Sequence, residues 1–446
     1  MRDLPRLPRM DATMEKMLST LMMLLAMVLM GGAALAVTYY VSPTGDDGNP
    51  GTGEKPWRTL QYAVDAVRSG DAVLVKSGTY DGCRIRHPGK PDAVCTLRAD
   101  AGAKVLVNAA GPENRHRDNV EVEIEGGGAG YWIVDGLEVA NSRRYGISLR
   151  HSDYVTARNC IVHHSKVTGI VTSHSDHLVI ENNECFANGE HGIYHANSGD
   201  YPIIRGNRSH DNHGCGIHMN GDVNMGGDGL ITHALVEKNV IWGNGRGGGG
   251  AINCDGVSDS IIRNNLCFDN HASGITLYAI DASEGSSRNL VVNNTVVMPA
   301  DGRWAITISA HEGRPNPTAN VVINNILLNA NPRVGSLTIW GAGALKASDL
   351  NIVTERFSAD GASTIIPPPQ WQSTLADWQV GGHDLHSLIA DARDLFINPA
   401  AHDYHLRPGS PAVGAGAPFP DLPDDLDGAP RPQIGAWDVG CYQRRR

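Results

Sequence analysis

Between about residues 140 and 330 the chain is written in short apolar, often β-branched runs, each broken by Asn, Gly or Asp. No run is long enough, or spaced at the helical period, to make a helix, so the pattern predicts short strands joined by turns. Seven runs lead into an Asn, at Asn159, Asn183, Asn207, Asn239, Asn265, Asn294 and Asn325, with Ile161, Cys185, Ser209, Ile241, Cys267, Val296 and Leu327 two places on. The first two spacings are 24 residues and the later ones stretch to between 26 and 32. A period near 24 with variable insertions marks a solenoid. A second phrase, Gly or Ala followed by Ile, interleaves with the first at Ile147, Ile170, Ile193, Ile217, Ile252, Ile275 and Ile306. Three short strands and three turns per repeat predict an all-β, single-stranded parallel β-helix, in which each strand pairs with its counterpart one coil on. An Asn at a fixed turn position then stacks its amide on its neighbours and satisfies turn backbone that is otherwise buried unpaired.

Strand side chains alternate, so with each Ile inward the first and third residues after it face out. This gives two columns: Ser148 and Arg150, Val171 and Ser173, Tyr194 and Ala196, His218 and Asn220, Asn253 and Asp255, Thr276 and Tyr278. With coils about 4.8 Å apart, Tyr194, His218, Asn253 and Thr276 form a ladder of roughly 15 Å, the length of a few sugar rings. Two insertions, residues 221–229 and the Gly-rich 245–250, flank it. Insertions gathered on one face of a solenoid commonly build its binding site. His195 falls on an inward position and reads as a satisfied core histidine.

The repeats resemble the pectate-lyase-like right-handed parallel β-helix superfamily. The opening Tyr39-Tyr40-Val41-Ser42-Pro43-Thr44-Gly45, with Pro56-Trp57-Arg58-Thr59-Leu60 and Gly78-Thr79-Tyr80, and the closing Asp403 to Ala412 and Asp425 to Gly440, are similar to the termini of secreted bacterial members. Between the opening pieces, Leu60, Ala63, Val64 and Val67 have helical spacing, with Thr59 as N-cap, and predict a helix that closes the first coil. The resemblance implies an acidic polysaccharide as partner and lyase or C5-epimerase chemistry. Lyases of this fold usually place Lys or Arg on the groove as base, whereas a His and Tyr arrangement is more similar to the epimerases. Those usually carry Asp-Pro-His, where this chain has Gly216-Ile217-His218.

Both reactions remove the C5 proton of a uronate, which requires that the neighbouring carboxylate be neutralised. The reading of the ladder is His218, Tyr194, Asp255 and Tyr278 as catalytic groups and Arg150, Asn220 and Asn253 as substrate contacts. The oxygen-rich loop carrying Asp222 and Asp228 is suited to a Ca²⁺ ion. Each has a plainer role to set against this: ladder amides for the Asn pair, Gly-Asp turns for Asp222 and Asp228, sugar-stacking platforms for the tyrosines. A glycoside hydrolase needs paired carboxylates across the groove, and of the acids only Asp255 stands on the ladder. Beside lyase and epimerase, a non-catalytic glycan-binding β-helix remains as a third reading.

Composition adds bounds. A formal net charge of −11, with no basic stripe in the sequence apart from Arg444 to Arg446, argues against nucleic acid as partner. Residues 1–36 read as an export signal, with an apolar stretch over 18–30 and Ala34-Leu35-Ala36 as cleavage site, so the mature chain is expected to be secreted or periplasmic, without a membrane span, and monomeric. The β-helix domain then runs over 37–446, with an N-terminal cap over 37–80 and an irregular strap and C-terminal cap over 354–446. Of the eight cysteines, Cys185 and Cys267 read as core, and Cys83 with Cys95, flanking a turn, as the pair to form a disulfide.

Overall fold

The computed structural model describes residues 36–108, 120–126, 129–359, 371–419 and 422–444, so that residues 1–35 of the expected export signal, and Pro367 to Pro369, lie outside the described residues. From Thr38 onward the chain winds through three long parallel sheets of 12, 12 and 11 strands. We call them first, second and third in the order one coil visits them. Ile203–Arg205, Arg208–His210 and Ile217–Asn220 make up one such coil. Within these three sheets each strand pairs in parallel with its counterpart a coil away, and the Ile of each Gly/Ala-Ile phrase is in register from Ile147 to Ile306. The fold is the parallel β-helix expected from the repeat.

The stacked Asn amides are present, with one shift of register. Asn183, Asn207, Asn239, Asn265, Asn294, Asn325 and Asn351 form a continuous buried ladder, each Nδ2 donating to the Oδ1 of the next at 2.9–3.2 Å. Asn159 is not a member. Cys160 occupies that rung, its N–H donating to Asn183 Oδ1 at 3.0 Å, while Asn159 adopts the left-handed conformation (φ 54°). The inward residue of that coil is accordingly Val162, paired with Cys185, and Ile161 is exposed. A second ladder, Asn188 to Asn212 to Asn244 to Asn270, runs along the turn between second and third sheets.

Thr59 caps the helix Leu60–Ala66, and Leu60, Ala63 and Val64 join the core at the first coil. At the other end the helix Leu375–Val380 carries a Thr374/Asp377 capping box and adds Leu375 and Trp378 to the same core. The strap after it packs along the second sheet: Leu395, Phe396, Tyr404 and Tyr442 cluster with Leu266, Phe268 and Ile326. Among the described residues this cluster includes no third-sheet residue. The expected Cys83–Cys95 disulfide is not formed, because the two lie on different sheets and both point into the core; all eight cysteines are free and buried. Cys185 and Cys267 are core residues as read.

Candidate functional site

Register on the third sheet stacks Val171, Tyr194, His218, Asn253 and Thr276 in one column and Ser173, Ala196, Asn220, Asp255 and Tyr278 in the next. The Tyr194 and His218 rings lie parallel with centroids 4.9 Å apart. His195 is inward and satisfied, receiving a hydrogen bond at Nδ1 from Thr172 (2.6 Å) and donating from Nε2 to the Gly199 carbonyl (3.0 Å).

His218 is buried beneath the groove lip. Its Nδ1 lies 3.2 Å from the backbone carbonyl oxygen of Asn253. Assigned from this contact, the Nδ1–H tautomer donates to the carbonyl and leaves the Nε2 lone pair free. Burial holds the imidazole neutral by lowering its pKa to about 4. Asn253 is itself fixed. Its amide donates to the Tyr278 hydroxyl at 2.7 Å and lies 3.1 Å from His218 Nδ1, and its oxygen accepts from Thr276 Oγ1. On the diagonal, the Asn220 amide donates to the Tyr194 hydroxyl at 3.1 Å, and Asn220 Oδ1 is buried without a partner. Each phenol therefore accepts from an Asn and keeps its own proton to give. Burial raises the pKa of both Tyr194 and Tyr278, so both stay protonated.

His191, in the turn before Ile193–Ala196, belongs to this group. Its ring centroid is 4.9 Å from that of His218 and 5.2 Å from Tyr194, and its Nδ1 accepts the Cys215 N–H at 3.0 Å. Burial, with His218 adding to it, lowers its pKa to about 3. Alternation along a strand carries no information about a side chain that folds in from the preceding turn, and the signal was only the adjacency of Glu190-His191-Gly192 to the strand.

Four further residues of the reading, Asp255, Arg150, Asp222 and Asp228, are held by partners of their own. Asp255 does not touch His218: its two oxygens accept the N–H groups of Ile280 (2.9 Å) and Asp281 (3.1 Å), which pins the loop whose Asp281 carbonyl accepts the Val223 N–H (3.1 Å). Burial raises its pKa. Arg150 is engaged by Glu123 at 2.8 Å and Glu125 at 3.4 Å, and Arg84 reaches the same two carboxylates. Asp222 and Asp228 cap their own loop: Asp222 Oδ1 accepts the Asn224 N–H at 2.8 Å, and Asp228 Oδ1 accepts the Leu230 N–H at 3.0 Å and the Ser198 hydroxyl at 3.1 Å. Among the described residues no group of three or more His, Cys, Asp or Glu is assembled that could hold a metal ion.

The three stacked parallel sheets define a parallel β-helix. The chain belongs to the Pel9A-like right-handed β-helix family, whose profile matches residues 39–298. Pectate lyase PEL9 of Emericella nidulans is 26% identical over 384 residues, covering 75% of this chain and 92% of that protein. Among solved structures, pectate lyase Pel9A superposes with a TM-score of 0.62 at 17% identity, over 93% of this chain and 98% of that one. A rhamnogalacturonan lyase does so with a TM-score of 0.53 at 15% identity, over 71% and 87%. At these identities the structural likeness is one of fold.

Proposed function

We propose that the protein is a polysaccharide lyase that cleaves a uronate-containing polymer by β-elimination outside the cytoplasm, with His218 as base. The observation that carries this reading is the buried His218 ring stacked on Tyr194 and joined through Asn253 to Tyr278. His218 Nε2 takes the C5 proton, the released electron pair forms the C4–C5 double bond, and the bond from C4 to the bridging oxygen breaks. Tyr194, stacked on His218, gives its proton to the departing oxygen, and the proton on His218 restores the phenol through solvent. The Tyr278 hydroxyl donates to the uronate carboxyl group. Asn253 holds both His218 and Tyr278 in place. Export agrees with the leader-like residues 1–36, and no helix among the described residues is long and apolar enough to cross a membrane. Because the curated relative is a pectate lyase, polygalacturonate is the first substrate to try.

C5-epimerisation begins with the same proton abstraction, and the presence of a second phenol on the far side of His218, at Tyr278, favours it as the other reading. Incubation with uronate polymers in D₂O separates the two. Rising ultraviolet absorbance from the new double bond means elimination, and deuterium at C5 without absorbance means epimerisation. Replacement His218→Ala is expected to remove either signal; retained turnover in that variant refutes the assignment of the base.

A further inference from the structure

Four arginines on the first sheet and in a turn leading into it are paired with acids a coil away, whereas Arg98, exposed on the same sheet, has no salt bridge among the described residues. Arg158 pairs with Asp135 (2.9 Å), Arg205 with Glu181 (2.7 Å), Arg263 with Glu237 (2.8 Å) and Arg288 with Asp259 (2.7 Å). The turns that lead into the third sheet differ. They carry Arg143, Arg144, Lys166, Arg246, Arg303 and Arg333, and no salt bridge joins any of the six to a carboxylate among the described residues. Of the acids on the same edge, Asp211 is paired with His210 (2.8 Å) and Asp301 with His271 (2.7 Å), while Glu190, exposed on a coil between Lys166 and Arg246, is joined by no salt bridge to a cation among the described residues.

These turns form one continuous edge, because each hydrogen-bonds to the turn a coil away: Lys166 N–H to the Ser142 carbonyl (2.9 Å), His213 to Asn188 (3.0 Å), Gly247 to His213 (2.7 Å) and Arg303 to Ala272 (2.8 Å). The edge borders the site, since His191 stands on it with its ring 4.9 Å from His218. At about 4.8 Å per coil, Lys166 and Arg246 are roughly 14 Å apart on either side of His218. The opposite edge is acidic: Asp153, Asp176 and Asp200 each accept a backbone N–H from the next coil at 2.8–2.9 Å, followed by Asp222 and Asp228.

We infer that this edge is a carboxylate-binding rim along which an acidic polysaccharide lies, its uronate groups turned toward Lys166, Arg246 and Arg303. The inference rests on the lyase reading of the groove but concerns binding rather than chemistry. Cations without ion pairs on one edge, facing a run of acids on the other, draw uronate groups to those cations and fix which side of each sugar faces the rim. In a molecule of formal charge −11, cations left unpaired on one edge localise the attraction that the whole surface would otherwise oppose.

The test measures binding of polygalacturonate and alginate oligosaccharides to the His218→Ala protein by calorimetry at low and high salt. The double replacement Lys166→Gln, Arg246→Gln is expected to weaken binding about tenfold at low salt and to flatten its salt dependence. The control Arg205→Gln, Arg288→Gln, on the first sheet, is expected to leave it unchanged. Unchanged affinity in the rim variant, equal weakening by the control, no uronate binding at all, or equally tight binding of a single-stranded oligonucleotide would each overturn the assignment. Rim-dependent binding by a native protein that never turns the polymer over would uphold the rim while refuting the lyase reading.

Discussion

At His218 the burial that makes the imidazole a usable base also sets its pH range. With the pKa lowered to about 4, the base form is present throughout the neutral range, and kcat/KM for uronate cleavage is expected to fall only as pH drops through about 4, against the 6.5 of an exposed histidine. An acid limb near 6.5 in the pH profile would mean that His218 is solvated or is not the base. Asn253 is a positioning residue, holding Nδ1 through its carbonyl and Tyr278 through its amide. Asn253→Ala retains the carbonyl and loses the amide, so kcat is expected to fall by about tenfold to a hundredfold with little change in KM, as steady-state kinetics will show. The alternation rule found His218, Asn220, Asn253 and both tyrosines, because a strand fixes outward direction at every second residue. It gave the outward direction of Arg150 and Asp255 as well, but not what holds them. Their partners, Glu123 and the backbone of Ile280 and Asp281, arrive from another coil and a loop, which one-dimensional spacing does not display.

The Asn ladder is the element that makes each turn compatible with burial. Asn265 Oδ1 accepts both the Asn239 N–H (3.0 Å) and the Asn239 Nδ2 (2.9 Å). Asn265→Leu therefore strands two buried donors, and at about 1–3 kcal/mol for each unsatisfied group it is expected to cost several kcal/mol, read as a marked fall in the urea midpoint. Asn159→Gly, off the ladder and at positive φ, gives up one exposed hydrogen bond to Asp135. It is expected to cost less than about 1 kcal/mol. Equal losses in the two variants would show that the ladder's amides carry no special share of stability. The period near 24 was legible because six of the seven Asn residues are true rungs. Asn159 entered the series through its position next to the rung, where a left-handed turn also prefers Asn, and no local signal separates those two uses.

At the scale of the whole molecule, Lys166, Arg246 and Arg303, which form no salt bridge among the described residues, share the edge that leads into the third sheet. Their shared edge was hidden in the sequence because the three are separated by intervals that vary with the insertions and align only once the coils are wound. The same scale governs the response to acid. His191, His195 and His218 are all held neutral by burial, with pKa values lowered from 6.5, to about 3 for His191 and about 4 for His218. Below pH 6.5 the unfolded chain binds protons at these positions that the folded chain refuses, so stability falls as pH drops toward 4; for His218 alone the loss is on the order of 3 kcal/mol. His405 acts in the other direction. Burial works against its charge, but its hydrogen bonds to Asp427 (2.9 Å) and Asp403 (2.6 Å) raise its pKa, so its contribution is full below 6.5 and is lost as pH rises through the raised value. Three buried neutral rings outweigh one paired surface ring. Thermal melting between pH 7 and pH 4 is therefore expected to show a net fall in the midpoint, and the double variant His191→Phe, His218→Phe is expected to flatten that fall while His405→Gln steepens it. A midpoint that rose on acidification in the native protein would mean that the groove histidines take up protons in the folded state, which would remove both the neutral base at His218 and the burial on which its role depends.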